Sequence, residues 1–172
     1  VPGLAERWEI QGDGRVYLFH LRPGVGWHPN ERFHPTRDLT VADVLFSFDR
    51  QRDPDHPWHG YVEGASYSYY DTMELDRLIL QVERVDDLTV RFTLAHPDGA
   101  FLAKLAMPFA SILSEEYAGT LLASGRMADL NTRPVGTGPF SFVTYQQDAA
   151  IRFRRNPDYW GGPPKIDDLI YA

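Results

Sequence analysis

Apolar residues recur at every second position in paired short stretches of this chain, and at helical spacing between those pairs. Leu4, Trp8 and Ile10 share one face of an extended segment whose other face carries Arg7 and Glu9. Gly12-Asp13-Gly14 then turns the chain, and Tyr17, Phe19 and Leu21 share a face of the run 16–21, so the two stretches predict a hairpin. Residues 22–30 are punctuated by Pro23, Gly24, Gly26 and Pro29 and read as a loop. A second antiparallel pair follows: Leu78, Leu80 and Val82 alternate with polar residues, Asp86-Asp87 turns the chain, and Val90, Phe92 and Leu94 alternate again. Phe140 and Phe142, then Ile151 and Phe153, form a third pair about Gln146-Gln147-Asp148. Residues 156–165 are a turn-rich crossing into a final strand.

Three helices fit the intervals. Thr40 is a credible N-cap, with Asp43 completing a capping box and Leu39 and Val44 placed as a hydrophobic staple. Val41, Val44, Leu45 and Phe48 then mark a buried face, and the helix is expected to end near Arg50. A second helix is expected over residues 100–107, capped by Asp98, with Phe101, Leu102 and Leu105 inward. A third runs from Glu115 to Ala123 with Ser114 as cap and Gly125 at its end. Between the first helix and Tyr70 lies a long polar and aromatic loop, with a helical turn near residues 72–77. Helices and strands in separate runs, with short turns between antiparallel neighbours, favour an α+β fold with mostly antiparallel sheet. Pro134-Val135-Gly136-Thr137-Gly138-Pro139 is the best boundary, dividing 1–135 from 136–172. The chain opens just before one strand pattern and closes inside another, so it reads as part of something larger.

Composition narrows the function. At 172 residues with 43% hydrophobic and 13% aromatic content the chain can bury a real core. A net charge of −7 argues against a nucleic-acid surface, which needs clustered Lys and Arg. With no cysteine there is no disulfide frame, thiolate nucleophile or Cys-based zinc site. No apolar run approaches a membrane span, so no direct membrane insertion is expected, and no basic-then-apolar leader opens the chain.

Few residues offer chemistry. Gly136-Thr137-Gly138 resembles a phosphate loop only in its glycines, since Pro139 and a strand follow where a helix is needed; it reads as a tight connection using glycine freedom. His56 and His59 beside Asp53 and Asp55 have metal-like spacing, but Pro57 separates them, and a solvated loop is the simpler account. His20, His28 and His34 read as isolated surface or interface histidines. Asp86-Asp87 suits a turn and Glu115-Glu116 a helix N-terminus; neither adjacent pair can flank a glycosidic bond. No Gly-x-Ser-x-Gly elbow occurs, so no catalytic residue, metal site or cofactor is expected. The run Ser66-Tyr67-Ser68-Tyr69-Tyr70 fits both a peptide-contacting surface and an ordinary core strip, and the residues leave both open. Tyr67 and Tyr69 are the candidates for facing a ligand cleft.

Four landmarks carry a family resemblance. Leu4-Ala5-Glu6-Arg7-Trp8-Glu9, Asp13-Gly14, Phe19-His20-Leu21-Arg22-Pro23-Gly24-Val25 and Trp27-His28 resemble one stretch of the extracytoplasmic solute-binding proteins for peptides and nickel, family 5. The run from Leu39 through Thr40-Val41-Ala42-Asp43-Val44-Leu45-Phe46-Ser47-Phe48 is similar to the next. Pro134-Val135-Gly136-Thr137-Gly138-Pro139-Phe140 and Asn156-Pro157-Asp158-Tyr159-Trp160-Gly161-Gly162 are similar to later ones, in the same order. Phe48-Asp49-Arg50-Gln51 and Phe109-Ala110-Ser111-Ile112-Leu113-Ser114 look most like the dipeptide-binding members.

The resemblance implies a two-lobed, hinged periplasmic-binding fold of type II that closes on its ligand and presents the closed form to an ABC permease. On that likeness 1–135 would be the small subdomain inserted in the first lobe, and 136–172 a connection with strands returning to that lobe's main sheet. It implies no enzyme, a periplasmic location, and a dipeptide or short peptide as partner of the full-length protein. An Asp and an Arg holding the ligand's termini would lie outside these residues. Oligopeptide, haem and nickel-chelate are the alternative cargoes, and a protein-interaction module without small ligand is the alternative of another class.

Overall fold

The computed structural model describes residues 3–61 and 67–172. They form two compact units, one from Val1–Pro23 with Thr40–Leu113, the other from Gly24–Leu39 with Ser114–Ala172. Each unit thus draws on two separate stretches, and Gly24–Leu39 packs with the C-terminal part of the chain.

The first unit is built on a four-stranded antiparallel sheet of β1 (Ala5–Gln11), β2 (Val16–Leu21), β3 (Ile79–Arg84) and β4 (Thr89–Leu94), in the order β1-β2-β4-β3. The first hairpin turns through Gly12, Asp13 and Gly14, all at positive φ (58°, 55° and 87°), a backbone that glycine adopts without strain. Cross-strand registers Trp8↔Phe19, Phe19↔Val90, Tyr17↔Phe92 and Val82↔Phe92 put the expected apolar residues on one face. Helix α1 (Val41–Arg52) lies against β3 and β4. Phe92 is the hub of this core, its ring 5.0 Å from Phe48, 5.5 Å from Phe19 and 5.8 Å from Phe101.

Local chemistry explains α1. Thr40 is extended, its side chain accepts from Ala42 N at 3.3 Å, and Asp43 Oδ2 accepts from Thr40 N at 2.9 Å, closing the capping box. The helix ends at Arg52, two residues beyond the expected point. Its buried side is also wider: Phe46, Ser47 and Gln51 are buried with Val41, Val44 and Phe48, while Leu45 is only half-buried. Phe46 packs against residues 53–60, and Ser47 and Gln51 bond to the 109–113 segment. Trp58 is 2% exposed and meets Phe46 edge-on at 6.1 Å, so the 53–60 loop anchors on α1 through this ring, while Asp53, Pro54, Asp55, Pro57 and Gly60 stay exposed as its polarity predicts.

Other expectations shift. The region before β3 contains two short helices, α2 (Ser68–Thr72) and α3 (Leu75–Leu78), where one turn was expected. Leu78 ends α3, and a bulge between Ile79 and Gln81 breaks the alternation, so Ile79 and Val82 face inward while Leu80 is 57% exposed. Helix α4 (Phe101–Leu105) is shorter than expected, with Ala100 at its N-cap position. Asp98 still organises its start, accepting from Ala100 N at 2.7 Å and pairing with Lys104 at 2.6 Å.

The second unit has its core around the 24–39 loop and α5 (Glu115–Ala123), with the short α6 (Asp129–Thr132) alongside. Val25, Trp27, Phe33, Tyr117, Leu121 and Leu130 are all buried, and Phe33 packs on Tyr117 at 4.9 Å. Ser114 caps α5 by accepting from Tyr117 N at 3.1 Å, and Gly125 beyond its end has φ 65°. A three-stranded antiparallel sheet of β5 (Phe140–Gln146), β6 (Ala150–Arg155) and β7 (Asp168–Tyr171) completes the unit in the order β5-β6-β7. One face carries Phe142, Tyr145, Ile151, Phe153, Leu169 and Tyr171, yet no residue of the three strands is buried.

Candidate functional site

The tyrosine run splits three ways. Ser66 lies outside the described residues. Tyr70 points inward, 1% exposed, and its hydroxyl finds no hydrogen-bond partner among the described residues; burial, the largest cause, raises its pKa to about 12 against the opposing Arg52 charge. Tyr69, on the same short helix, is 60% exposed. Tyr67, half-buried, donates from its hydroxyl to Trp58 O at 2.8 Å and accepts from Arg50 Nη1 at 3.3 Å. The Arg50 guanidinium also sits 5.2 Å from the Tyr67 ring centre, and the His59 ring lies tilted 5.5 Å from it. Burial, the largest cause, raises the Tyr67 pKa, and the Arg50 charge opposes it. Tyr67 is therefore tied into its surroundings, while Tyr69 is exposed.

The histidines are occupied structurally. His56 Nδ1 accepts from Trp58 N at 3.2 Å, and His59 Nδ1 donates to Arg50 O at 3.1 Å. Among the described residues no three His, Asp or Glu side chains gather as a metal site would need. His20 lies 2.9 Å from Glu9 Oε1, which depresses the Glu9 carboxyl together with Arg7. His28 departs from expectation: it is 7% exposed and fully part of the second unit. Its backbone N–H donates to Gly136 O at 2.8 Å and its Nε2 donates to Gly138 O at 2.9 Å. Asn156 Nδ2 donates to the same Gly138 oxygen at 3.2 Å.

Three separated landmarks (Trp27-His28, Gly136-Thr137-Gly138 and Asn156-Pro157) thus meet at one carbonyl. Neither Gly136 nor Gly138 has positive φ, and a Cβ there would meet only ordinary contacts or open space. The glycine freedom expected of this connection is not what it uses. Its structure is a hydrogen-bonded junction, and sequence spacing carries no sign of that.

The acidic pairs settle likewise. Asp86 Oδ1 accepts from Leu88 N at 2.8 Å, and backbone bonding holds its carboxyl below the usual range. Glu116 accepts from Thr36 N and Oγ1, at 3.1 and 2.6 Å, while Glu115 pairs with Arg37 at 3.0 Å. Both glutamates bind the 24–39 loop as well as standing at the start of α5.

The two dipeptide-like motifs are joined to each other. Gln51 Nε2 donates to Phe109 O at 3.2 Å, and Ser47 Oγ accepts from Leu113 N at 2.8 Å while donating to Asp43 O at 2.7 Å. Gln51 and Ser47 are 3% and 1% exposed. Buried polar side chains of α1 therefore hold the 109–113 segment in place.

Residues 1–172 match the bacterial extracellular solute-binding proteins, family 5, in the middle region, and the chain belongs to that family. It is 52% identical over 172 residues to di/tripeptide-binding protein 4 of Pseudomonas aeruginosa, and 51% identical to the dipeptide-binding protein of Escherichia coli. All of this chain is covered in both comparisons, but it spans only 32% of the length of either relative. Among solved structures it superposes on HbpA2 of Haemophilus parasuis with a TM-score of 0.95 at 49% identity, covering 100% of this chain and 34% of that one. The dipeptide-binding protein of Pseudoalteromonas, in complex with Met-Leu, matches with a TM-score of 0.92 at 40% identity, covering 98% and 33%.

Proposed function

We propose that the protein containing these residues is the substrate-binding component of an ABC importer, capturing dipeptides in the periplasm and passing them to a membrane permease without chemical change. The observation that carries this is identity of about half the chain to relatives named for dipeptide or di/tripeptide binding, across all 172 residues. The family is extracellular by its description, and among the described residues no helix is long and apolar enough to cross a membrane.

On this reading 1–135 contributes the small subdomain of one lobe, and 136–172 leads back to a larger sheet. The uncovered aromatic face of β5-β6-β7 supports that part, since Tyr145 and Tyr171 are 54% and 60% exposed on it. Tyr69 faces the ligand cleft, and Tyr67, bound to Arg50 and Trp58, braces the loop beside it. Charged ligand termini gripped from outside these residues fix peptide length, while side-chain choice stays loose.

Haem is the second reading, because the chain is also 49% identical to heme-binding protein A of Haemophilus influenzae. Calorimetric titration of the intact protein separates the two, using a dipeptide panel, a longer oligopeptide, haem and a nickel–histidine complex. Dipeptides are expected to saturate one site, more weakly after Tyr69→Ala. Saturation by haem with no dipeptide response would overturn the proposal.

A further inference from the structure

Between the end of α1 and Tyr67 a histidine fastens the chain. His56 is half-buried, its ring 5.7 Å from that of Phe46 on α1. Its Nδ1 stands 3.2 Å from the backbone N of Trp58. A backbone N–H can only donate, so this nitrogen carries no proton and the imidazole is neutral. His59 differs: its Nδ1 faces the carbonyl oxygen of Arg50 at 3.1 Å, an acceptor, and that bond survives protonation. Trp58 is the pivot of the stretch. Its ring is buried against Phe46 and Tyr61, and its carbonyl oxygen accepts from the Tyr67 hydroxyl at 2.8 Å. One acceptor nitrogen therefore begins a chain of contacts that reaches Tyr67.

We propose that His56 is an acid-released latch: neutral, it holds the Trp58 amide and with it Tyr67, and protonated, it lets both go and weakens dipeptide capture. The last step rests on the reading that Tyr67 braces the cleft of a dipeptide-binding protein. The charges acting on His56 come from both sides of the contact, Asp49 and Arg50 from α1, Asp53 and His59 from the loop. Burial, the largest cause, lowers the His56 pKa from 6.5, and the two carboxylates oppose it. Asp49 also pairs with Arg52 at 3.2 Å, and Asp53 accepts from Asp55 N at 3.0 Å. An imidazolium has two donors and no acceptor, so it cannot keep the Trp58 bond. The same two carboxylates then draw it away from the amide, which gives the loop two states chosen by one proton. The latched state is complete above pH 6.5 and is lost as pH falls through the depressed folded value.

The test compares the intact native protein with His56→Asn and His56→Ala. Asparagine accepts from an N–H two residues on, as in an Asx turn, without titrating, whereas alanine leaves the amide unheld. Hydrogen exchange at the Trp58 amide, followed by mass spectrometry and corrected for its intrinsic pH dependence, reads the latch. From pH 7.5 to 5.0 the native protein is expected to lose roughly 3- to 10-fold in protection, the worth of one hydrogen bond. His56→Asn should keep its protection, and His56→Ala should lack it at both values. Asp49, whose carboxyl pKa burial raises, titrates in the native and Asn proteins alike and cancels between them. Protection that ignores pH in the native protein, or falls equally in His56→Asn, overturns the latch. Dipeptide affinity of the same proteins, by calorimetry, should fall with acid by a similar factor in the native protein beyond any fall in His56→Asn; equal falls overturn the coupling to capture. Should both variants fail to fold, the native protein still decides: loss of Trp58 protection must follow the His56 titration seen by NMR, and separate midpoints overturn the latch. A protein that binds no dipeptide at either pH sinks the proposed function and the coupling with it, whereas a Trp58 amide indifferent to pH sinks the latch alone.

Discussion

Gly138 O receives hydrogen bonds from His28 and Asn156, residues 110 and 18 positions away. Burial of the imidazole, the largest cause, lowers the His28 pKa below its usual 6.5, against the pull of the Gly138 carbonyl. The unfolded chain then binds this proton more readily than the folded one. The stabilisation is therefore complete above pH 6.5 and is lost as pH falls through the depressed folded value. Urea unfolding at pH 7.5 and 5.5 is expected to show this loss in the native protein and a smaller one after His28→Gln, which keeps a donor without the titration. An unchanged pH dependence in the variant would mean other groups are responsible. Sequence placed His28 in a loop, correctly, but as an isolated residue; its burial depends on Gly136, Gly138 and Asn156 arriving from elsewhere. The tyrosines show the same limit. Nothing in Ser66-Tyr67-Ser68-Tyr69-Tyr70 says which ring turns inward, because that depends on where α1 and Trp58 stand.

Elements with strong local signals were legible, and those that depend on partners were not. Helices α1 and α5 begin at Thr40 and Ser114 as their caps require, because a capping oxygen and an orphan N–H lie within a few residues of each other. Strand β3 was half-read: a bulge, which pattern alone does not announce, rotated Leu80 outward. Ser47 and Gln51 were not singled out for burial, since polar residues on a helix usually face water. Gln51 donates to both Ser47 O and Phe109 O, at 2.8 and 3.2 Å. Gln51→Leu strands the Phe109 carbonyl and is expected to cost roughly 1–3 kcal/mol. Urea unfolding should show this as a lower midpoint with little change in slope. A shift below ~0.5 kcal/mol would mean that the bond to Phe109 O contributes little.

At the scale of the molecule, two compact units interleave along the chain, with Gly24–Leu39 joining the later stretch. On the proposed function, the grip on a peptide's termini lies in residues outside 1–172. Two charge-assisted contacts, each worth about 1.5–3 kcal/mol, separate useful affinity from none. Residues 1–172 alone are therefore expected to fold cooperatively by circular dichroism and to give no saturable signal with dipeptide at micromolar concentration. A micromolar dissociation constant for this piece would move the anchoring groups into it.

Alternation, capping and turn residues are written in neighbouring positions, and so the chain by itself determined its α+β class, its three hairpins and the starts of α1 and α5, while the likeness of its landmark motifs carried its family. The meeting of His28, Gly138 and Asn156, the tie between the two dipeptide-like motifs and the inward turn of Tyr70 were decided only in three dimensions. Each depends on groups tens of residues apart reaching hydrogen-bond or van der Waals distance, and no local pattern encodes that approach.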